Sequence, residues 1–592
     1  MDFTRMLPDE TLSHVFAWAQ VIDPHASAMD HTLGRRAPKF RFKLGWIHVS
    51  FVDRRWRCVA IDEATLWTEI DGRLGLRWTT EFLNRSKDTL LSFADRQPSG
   101  LRKRILRDAL TMHRDRVVSL RMGATIDEED SLSIFDELAF SFAKLQELDV
   151  VHSFYGLVSE EQCRPIDPFL KNCCPQLYHL SLSLPHSSFS YLTWDYPFLT
   201  HLTSLSIHFG RVGARFQAPP FPDSIFLKAM RQMTSLSQLT LRGNNVTDPN
   251  ELYCEHCHPA RPENVIHLES LRFLTVIART EVHAHLLHHI RVSPRARVSL
   301  LDTAPSEQQL VHEALGDAFM QLLDHRRLEA PNFRSGYLLF RKETVTLGLD
   351  RTTQPSLPAD LVKIKKHLNE EGGHRGWTGS NDLTISLIHG YERFNTLSML
   401  PIDDVRTLVM DFADIYASES KGTAKENPFG GFLVNPRGFG ARAVPPHTSS
   451  SASFFPSVQC LSIDMHRNQR LTHVIRLLED TNVLPALRVL DLRGHDFDLL
   501  TAITCLTLEG PRVLPTRTLV LTSALDARRK KGIPVQTIYL HIAEEEALIR
   551  KGRISGTRCR KLREDVVLES IRRLKAVPGV VIVSEEFNVF QG

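Results

Sequence analysis

Apolar residues follow two different rhythms along this chain. Near the start, Leu12, Val15, Phe16 and Ala19 recur at three- and four-residue steps, the period of a helix with one apolar face. Pro8 suits the first turn of that helix, where its missing N–H costs nothing, and Asp9 and Glu10 complement the positive helix end. Pro24 is expected to end it. A second helix is predicted from about Gly45, with Trp46, Val49, Val52, Trp56, Val59 and Ala60 on one side. Arg54, Arg55 and Arg57 flank that stripe and are expected to face water or an acidic partner. Two such short helices cannot cover all these large side chains against each other. The surplus apolar surface gains roughly 1.5–3 kcal/mol per large side chain once buried, against a partner or against the first layer of a larger core.

Beyond about residue 85 the rhythm becomes a six-residue frame: apolar, two variable, apolar, one variable, apolar. It runs through Val117-x-x-Leu120-x-Met122, Leu145-x-x-Leu148-x-Val150, Leu177-x-x-Leu180-x-Leu182, Leu202-x-x-Leu205-x-Ile207, Leu236-x-x-Leu239-x-Leu241 and Leu268-x-x-Leu271-x-Phe273. It resumes at Val405, Val458, Leu487 and Val535, with Thr516-x-x-Leu519-x-Leu521 as a weaker member. The early frames start roughly 25–34 residues apart, close to the leucine-rich-repeat period. Each frame reads as a short strand, with room between frames for a helix. No single unit buries its own apolar edge, so neighbours are expected to stack into a curved solenoid. Leu241-Arg-Gly-Asn244 carries the Asn that closes such repeats, but most units lack it, so the repeats are degenerate.

The frame is irregular over about 301–397, where helices are expected at Pro305–Leu328 and Leu361–Glu371 and a strand at Leu383–Leu387. Lys421–Pro456 is rich in Gly, Pro and Ser and is expected to be a long, mobile surface loop. Val577–Val583 reads as a last, capping strand. Arg528-Arg529-Lys530-Lys531 reads as a solvated helix end just before Gly532, where cations favour the helix dipole.

The residues Leu7-Pro8-x-Glu10-x-Leu12-x-x-Val15-Phe16, Val49-Ser50-x-Val52-x-Arg54-Arg55-Trp56-Arg57-x-Val59-Ala60 and Leu66-Trp67 resemble an F-box. More narrowly, they are similar to the F-box-like proteins abundant in mushroom-forming fungi. The likeness covers about 12% of the chain. It implies that the first 70 residues bind a Skp-type adaptor, and through it a cullin scaffold and a RING ubiquitin ligase. Contacts carried over on matching positions would come from Leu7, Pro8, Glu10, Leu12, Val15, Phe16, Val52, Trp56 and Trp67. Asp53 departs from the family, which usually has Cys or another small residue there, and this is expected to weaken adaptor packing. A basic insert around Arg35–Lys39 is expected to be flexible and to set the helix spacing.

Composition changes this picture little. Forty-two per cent hydrophobic residues over 592 positions exclude wholesale disorder, and a formal charge of +3 argues against a dedicated nucleic-acid binder. No apolar run approaches a membrane span and no signal region is read at the N-terminus, so a cytoplasmic or nuclear protein with no membrane partner is expected. Nine irregularly spaced cysteines fit a reducing compartment. Cys254-x-x-Cys257, beside His256 and His258, is half of a zinc site without a second pair, so no metal is expected. His283, His285, His288 and His289 are expected to be structural, on a helix that Leu286, Leu287 and Ile290 pack onto the sheet. No phosphate-binding loop or nucleophile elbow is present.

The expectation is therefore an α/β chain with no enzymatic activity and no cofactor: an F-box-like module at 1–70 ahead of a degenerate leucine-rich-repeat horseshoe at 71–592. Its expected role is substrate recognition for a cullin–RING ligase, through an unidentified protein target. The alternative is a scaffold whose N-terminal helices only cap the solenoid.

Overall fold

The computed structural model describes residues 6–29, 40–72, 75–95, 100–124, 134–138, 141–152, 165–184, 191–209, 224–243, 265–278, 280–293 and 295–302. Further along it describes 335–340, 344–350, 383–388, 405–411, 456–464, 484–493, 515–540 and 575–584, with single positions at 189, 478 and 572. The chain divides into two compact units. One comprises Met1–Glu251 with Ile266–Leu271, and the other Leu252–Val265 with Arg272–Gly592.

Helix α1 (Asp9–Ile22) begins where Pro8 sets the backbone, with Asp9 and Glu10 in its first turn, and closes as the Asp23 amide donates to Ala19 O at 2.8 Å. An antiparallel pair follows, β1 (Ala26–Met29) with β2 (Phe40–Lys43). The insert around Arg35–Lys39 lies outside the described residues.

The chain then returns across the end of α1 as a 3-10 turn, Gly45–Phe51. Gly45 is required there: its φ is +56°, and a Cβ would lie 2.5 Å from Asp23 O. The Trp46 amide donates to that same oxygen at 2.7 Å.

The single helix expected from Gly45 is broken. Asp53 takes an extended conformation, and its carboxylate accepts from the Trp56 amide at 2.8 Å, so helix α2 (Arg54–Asp62) starts anew from an aspartate cap. A side chain that satisfies the first orphan amides favours a restart over a continuous helix. A second 3-10 turn, Ala64–Trp67, leads into β3 (Glu69–Asp71) and α3 (Gly75–Arg85).

Large aromatic groups join these pieces. The Trp67 ring sits edge-on to Trp46 at 5.1 Å and to Phe82 of α3 at 5.0 Å, with the Arg85 guanidinium 4.4 Å above it. Its indole N–H donates to Ala60 O at 2.7 Å, and that of Trp46 reaches His25 Nδ1 at 3.2 Å. Through Phe82 the core of the first 70 residues runs without interruption into the repeat region.

From β3 onward the first unit is a parallel ladder. Its strands are β3, β4 (Leu91–Asp95), β5 (Val117–Ala124), β6 (Glu147–His152), β7 (His179–Leu184), β8 (Ser204–Phe209) and β9 (Gln238–Arg242), each paired with the next in chain order. Helices α4 (Gly100–His113), α5 (Ile134–Glu137), α6 (Ile166–Cys173) and α7 (Ser224–Met230) fall between strands. Five of the frames coincide with β5–β9.

The pairing puts like with like. Leu120, Leu148, Leu180, Leu205 and Leu239 form one row, and Met122, Val150, Leu182, Ile207 and Leu241 the next. All ten are at most 3% exposed. Each frame's first residue, Val117, Leu145, Leu177, Leu202 or Leu236, is buried too. Rows of leucines stack because every strand presents its apolar residues at the same register, which is what an in-order parallel pairing needs.

One frame is misplaced in the sequence pattern. Leu268 belongs to a separate strand, β10 (Ile266–Leu268), and Phe273 is 44% exposed. The buried set is Leu271, Leu274 and Val276, on β11 (Phe273–Ala278). Leucines three apart at 268, 271 and 274 fit the frame in two registers, and the later one is realised.

In the second unit come α8 (Thr280–His289), β12 (Ile290–Val292) and β13 (Arg297–Asp302), then β14 (Ser335–Phe340), β15 (Thr344–Asp350) and β16 (Leu383–Ile388). Strands β11, β13 and β16 pair in parallel, β14 and β15 form an antiparallel hairpin, and β15 lies antiparallel to β16. The described parts of the irregular span 301–397 are thus strands. Leu383–Leu387 is one of them, whereas Pro305–Leu328 and Leu361–Glu371 lie outside the described residues.

Next are β17 (Thr407–Asp411), β18 (Cys460–Asp464), β19 (Val489–Arg493), α9 (Pro515–Lys530), β20 (Thr537–Leu540) and β21 (Val581–Ser584). Strand β17 pairs with β14, and β17–β21 pair in parallel in chain order. The loop expected at Lys421–Pro456 lies, but for Pro456, outside the described residues. Among the described residues neither ladder closes on itself, so the fold is a mixed α/β arrangement of open sheets and not a barrel.

The Thr516 frame is not a strand. It falls inside α9, whose end is turned by Gly532 at φ +79°. The basic run there is only partly solvated. Arg529 and Lys530 pair with Asp526 at 2.8 Å, but Arg528 is fully buried and donates to the carbonyls of Leu478 and Leu484.

Candidate functional site

Helix α1 carries two apolar stripes. Leu12 and Phe16, four residues apart, are completely buried, and Phe16 lies 5.2 Å from the half-buried Trp56. On the other side Val15, Trp18 and Ile22, at steps of three and four, are 45%, 68% and 79% exposed, with Val21 beside them. At the junction between the 3-10 turn and α2, Phe51 and Val52 are 56% and 60% exposed. Exposed apolar groups of this size are candidates for an interaction surface.

The nine nominated contact residues therefore separate. Val15, Val52, Pro8 and Glu10 are on the surface, and Leu7 is half-buried. The Leu7 carbonyl accepts from the Arg55 guanidinium, which also pairs with Asp9 at 2.6 Å. Arg55 thus holds the start of α1 against α2 and does not face water freely. Leu12, Phe16 and Trp67 are internal and support the surface without forming it. Trp56 is half-buried, and its indole nitrogen is enclosed with no hydrogen-bond partner.

Trp18, Val21, Ile22 and Phe51 were missing from the nominated set. For Trp18 and Ile22 the signal was legible as a second i, i+3, i+7 stripe with Val15, on a helix whose first stripe already fills the core.

The polar side of the first ladder is the second candidate surface. Its residues alternate with the buried leucines and also align in rows. Glu69, Ser92, Ser119, Glu147, His179, Ser204 and Gln238 form one, and Asp71, Ala94, Arg121, Asp149, Ser181, Ser206 and Thr240 another. A shorter row holds Gly123, Val151, Ser183, His208 and Arg242.

Charge is unevenly spread. The β3–β6 part carries Glu69, Asp71, Glu147 and Asp149 against Arg121, while β7–β9 carry hydroxyls, two histidines and Arg242, with no carboxylate in their sequences. Glu147 is engaged by Ser119 Oγ at 3.0 Å and by Arg121 at 3.7 Å. One carboxylate oxygen of Asp149 is enclosed with no hydrogen-bond partner. His208 Nδ1 lies 3.3 Å from Ser183 Oγ, and burial, aided by nearby Arg242, lowers its pKa to about 4.

Several of the described histidines and cysteines are buried. His283 is fully enclosed, with Nε2 3.1 Å from Ala278 O, and burial lowers its pKa to about 4. His289 is 3% exposed, and its ring stacks obliquely on His285 at 4.9 Å. Leu286, Leu287 and Ile290 are buried as expected. Cys173 and Cys174 are buried thiols whose pKa values are raised by burial. Among the described residues no three His, Cys, Asp or Glu side chains converge to hold a metal ion, and no helix is long and apolar enough to cross a membrane. Cys254, His256, Cys257 and His258 lie outside the described residues.

No protein-family model matches the sequence, and no curated protein is similar to it.

Proposed function

We propose that this chain is a substrate-recognition subunit of a cullin–RING ubiquitin ligase, with the N-terminal helices docking a Skp-type adaptor and a leucine-rich-repeat solenoid holding a protein target. The observation that carries the first half is the outer stripe of α1 with Phe51 and Val52: large apolar side chains left exposed on a module whose inner core is already complete. Support for the second half comes from the in-order parallel ladder with one polar, residue-aligned face. The chemistry is recognition alone, with bond making left to the ligase.

The rival is a scaffold whose N-terminal helices merely cap the ladder. It is favoured by the burial of Leu12, Phe16 and Trp67 and by the continuous Trp67–Phe82 packing.

A pull-down with purified Skp-type adaptor separates the two. Wild-type full chain should retain the adaptor, Leu7→Ala/Pro8→Ala should retain less, and Val15→Asp/Val52→Asp should retain none while keeping its circular dichroism spectrum. Failure of the folded wild type to retain the adaptor leaves the capping scaffold as the reading.

A further inference from the structure

The polar face of the first ladder is a set of aligned rows whose charge changes sign along the ladder axis. At one end Arg242 is exposed on β9, the last strand of this ladder, has no ion-pair partner among the described residues, and stands beside His208, which in turn pairs with Ser183. Toward the other end Glu69, Glu147 and Asp149 stand against the single guanidinium of Arg121. Between these ends the outward-facing positions of β7 and β8 are the exposed His179, the half-buried Ser181, Ser204, Ser206 and His208, and the buried Ser183. Short hydroxyl side chains leave the surface low, so an extended backbone can approach it, and each hydroxyl both donates and accepts.

The spacing fixes what can lie across such a face. Neighbouring strands are about 4.8 Å apart, so Arg242 on β9 and Asp149 on β6 are separated by roughly 14–16 Å. An extended peptide advances about 3.3 Å per residue, so four or five residues span that gap. The geometry points to a target segment that is bipolar: an extended peptide with an Asp or Glu side chain over Arg242 and a Lys or Arg side chain four residues away, on the same face of the peptide, over Asp149 and Glu147. This deepens the proposed target-binding role and rests on it. It needs no adaptor, so the two can fail separately. Complementary charge at both ends would set the register of the bound segment, and a uniformly charged segment would meet like charge at one end.

The test is selection of random decapeptides displayed on phage against the immobilised full chain, followed by fluorescence anisotropy on synthetic copies of enriched sequences. Enriched peptides should pair an acidic residue with a basic one at a separation of four. Arg242→Glu should abolish selection for the acidic position and keep selection for the basic one, with the converse for Asp149→Lys. Each variant should weaken the wild-type peptide by roughly fivefold or more. Both variants place a long polar side chain at a non-core position, and circular dichroism checks that each remains folded.

Absence of enrichment, enrichment of apolar or uniformly charged peptides, or unchanged selection by both variants overturns the proposal. Adaptor binding by the same preparation is measured in parallel. Loss of the peptide result with adaptor binding intact refutes this inference alone.

Discussion

Asp53 has a role within the chain that its departure from the F-box-like pattern did not suggest. Its carboxylate caps α2 and separates that helix from the 3-10 turn before it. Asp53→Ala should therefore cost about 0.5–2 kcal/mol of stability, read as a lower urea midpoint, whereas Asp53→Asn should cost less. Buried histidines make a second prediction at this scale. With a folded pKa near 4, below the ordinary 6.5, His283 is neutral in the native chain, and the unfolded chain takes up the proton first as pH falls. Its contribution is intact above pH 6.5 and is lost between about 6.5 and 4, with His208 acting in the same direction. Urea midpoints at pH 7 and pH 5 should differ, and His283→Gln should narrow the difference.

Helix α1 shows how one element can serve a core and a surface together. Fourteen residues give it four turns, enough for two apolar stripes of different fate. Phe16→Ala should cost about 3–5 kcal/mol, because a fully buried ring leaves a cavity. Trp18→Glu should change stability by no more than about 0.5 kcal/mol, because its ring lies mostly in water.

Element identity was legible wherever periodicity was unambiguous. The frames at Val117, Leu145, Leu177, Leu202 and Leu236 are strands, each pairing in register with the next so that its apolar residues stack in buried rows. Thr516-x-x-Leu519-x-Leu521 was misleading because its three-residue step also suits a helix, and Leu521, Ala524 and Leu525 continue that helical step into the core. The β14–β15 hairpin was missed because antiparallel strands joined by a short turn do not reproduce a repeat spacing built on crossovers. At the candidate site, likeness to a motif named residues without separating inner from outer. Only burial distinguishes Phe16 from Val15.

At the scale of the whole molecule, stability in the first unit should be shared between neighbours. Each parallel strand buries its leucines against the strands on both sides, so a defect in the middle of the ladder is felt by several repeats. Leu205→Ala, flanked on both sides within the leucine row, should cost about 2–5 kcal/mol and raise amide exchange in β7 and β9 as well as β8. Exchange confined to β8 would show that the repeats are energetically independent.

Polar and apolar surfaces are also set apart within the first unit. Under the proposed function the exposed apolar side chains of the N-terminal helices meet the adaptor, and the polar face of the ladder meets the target. The most direct test of this division is hydrogen–deuterium exchange of the full chain with and without a purified Skp-type adaptor. The expected result is added protection over Asp9–Ile22 and Gly45–Asp62 with β5–β9 unchanged. Unaltered exchange in those two segments at saturating adaptor, or protection confined to the ladder, would contradict it.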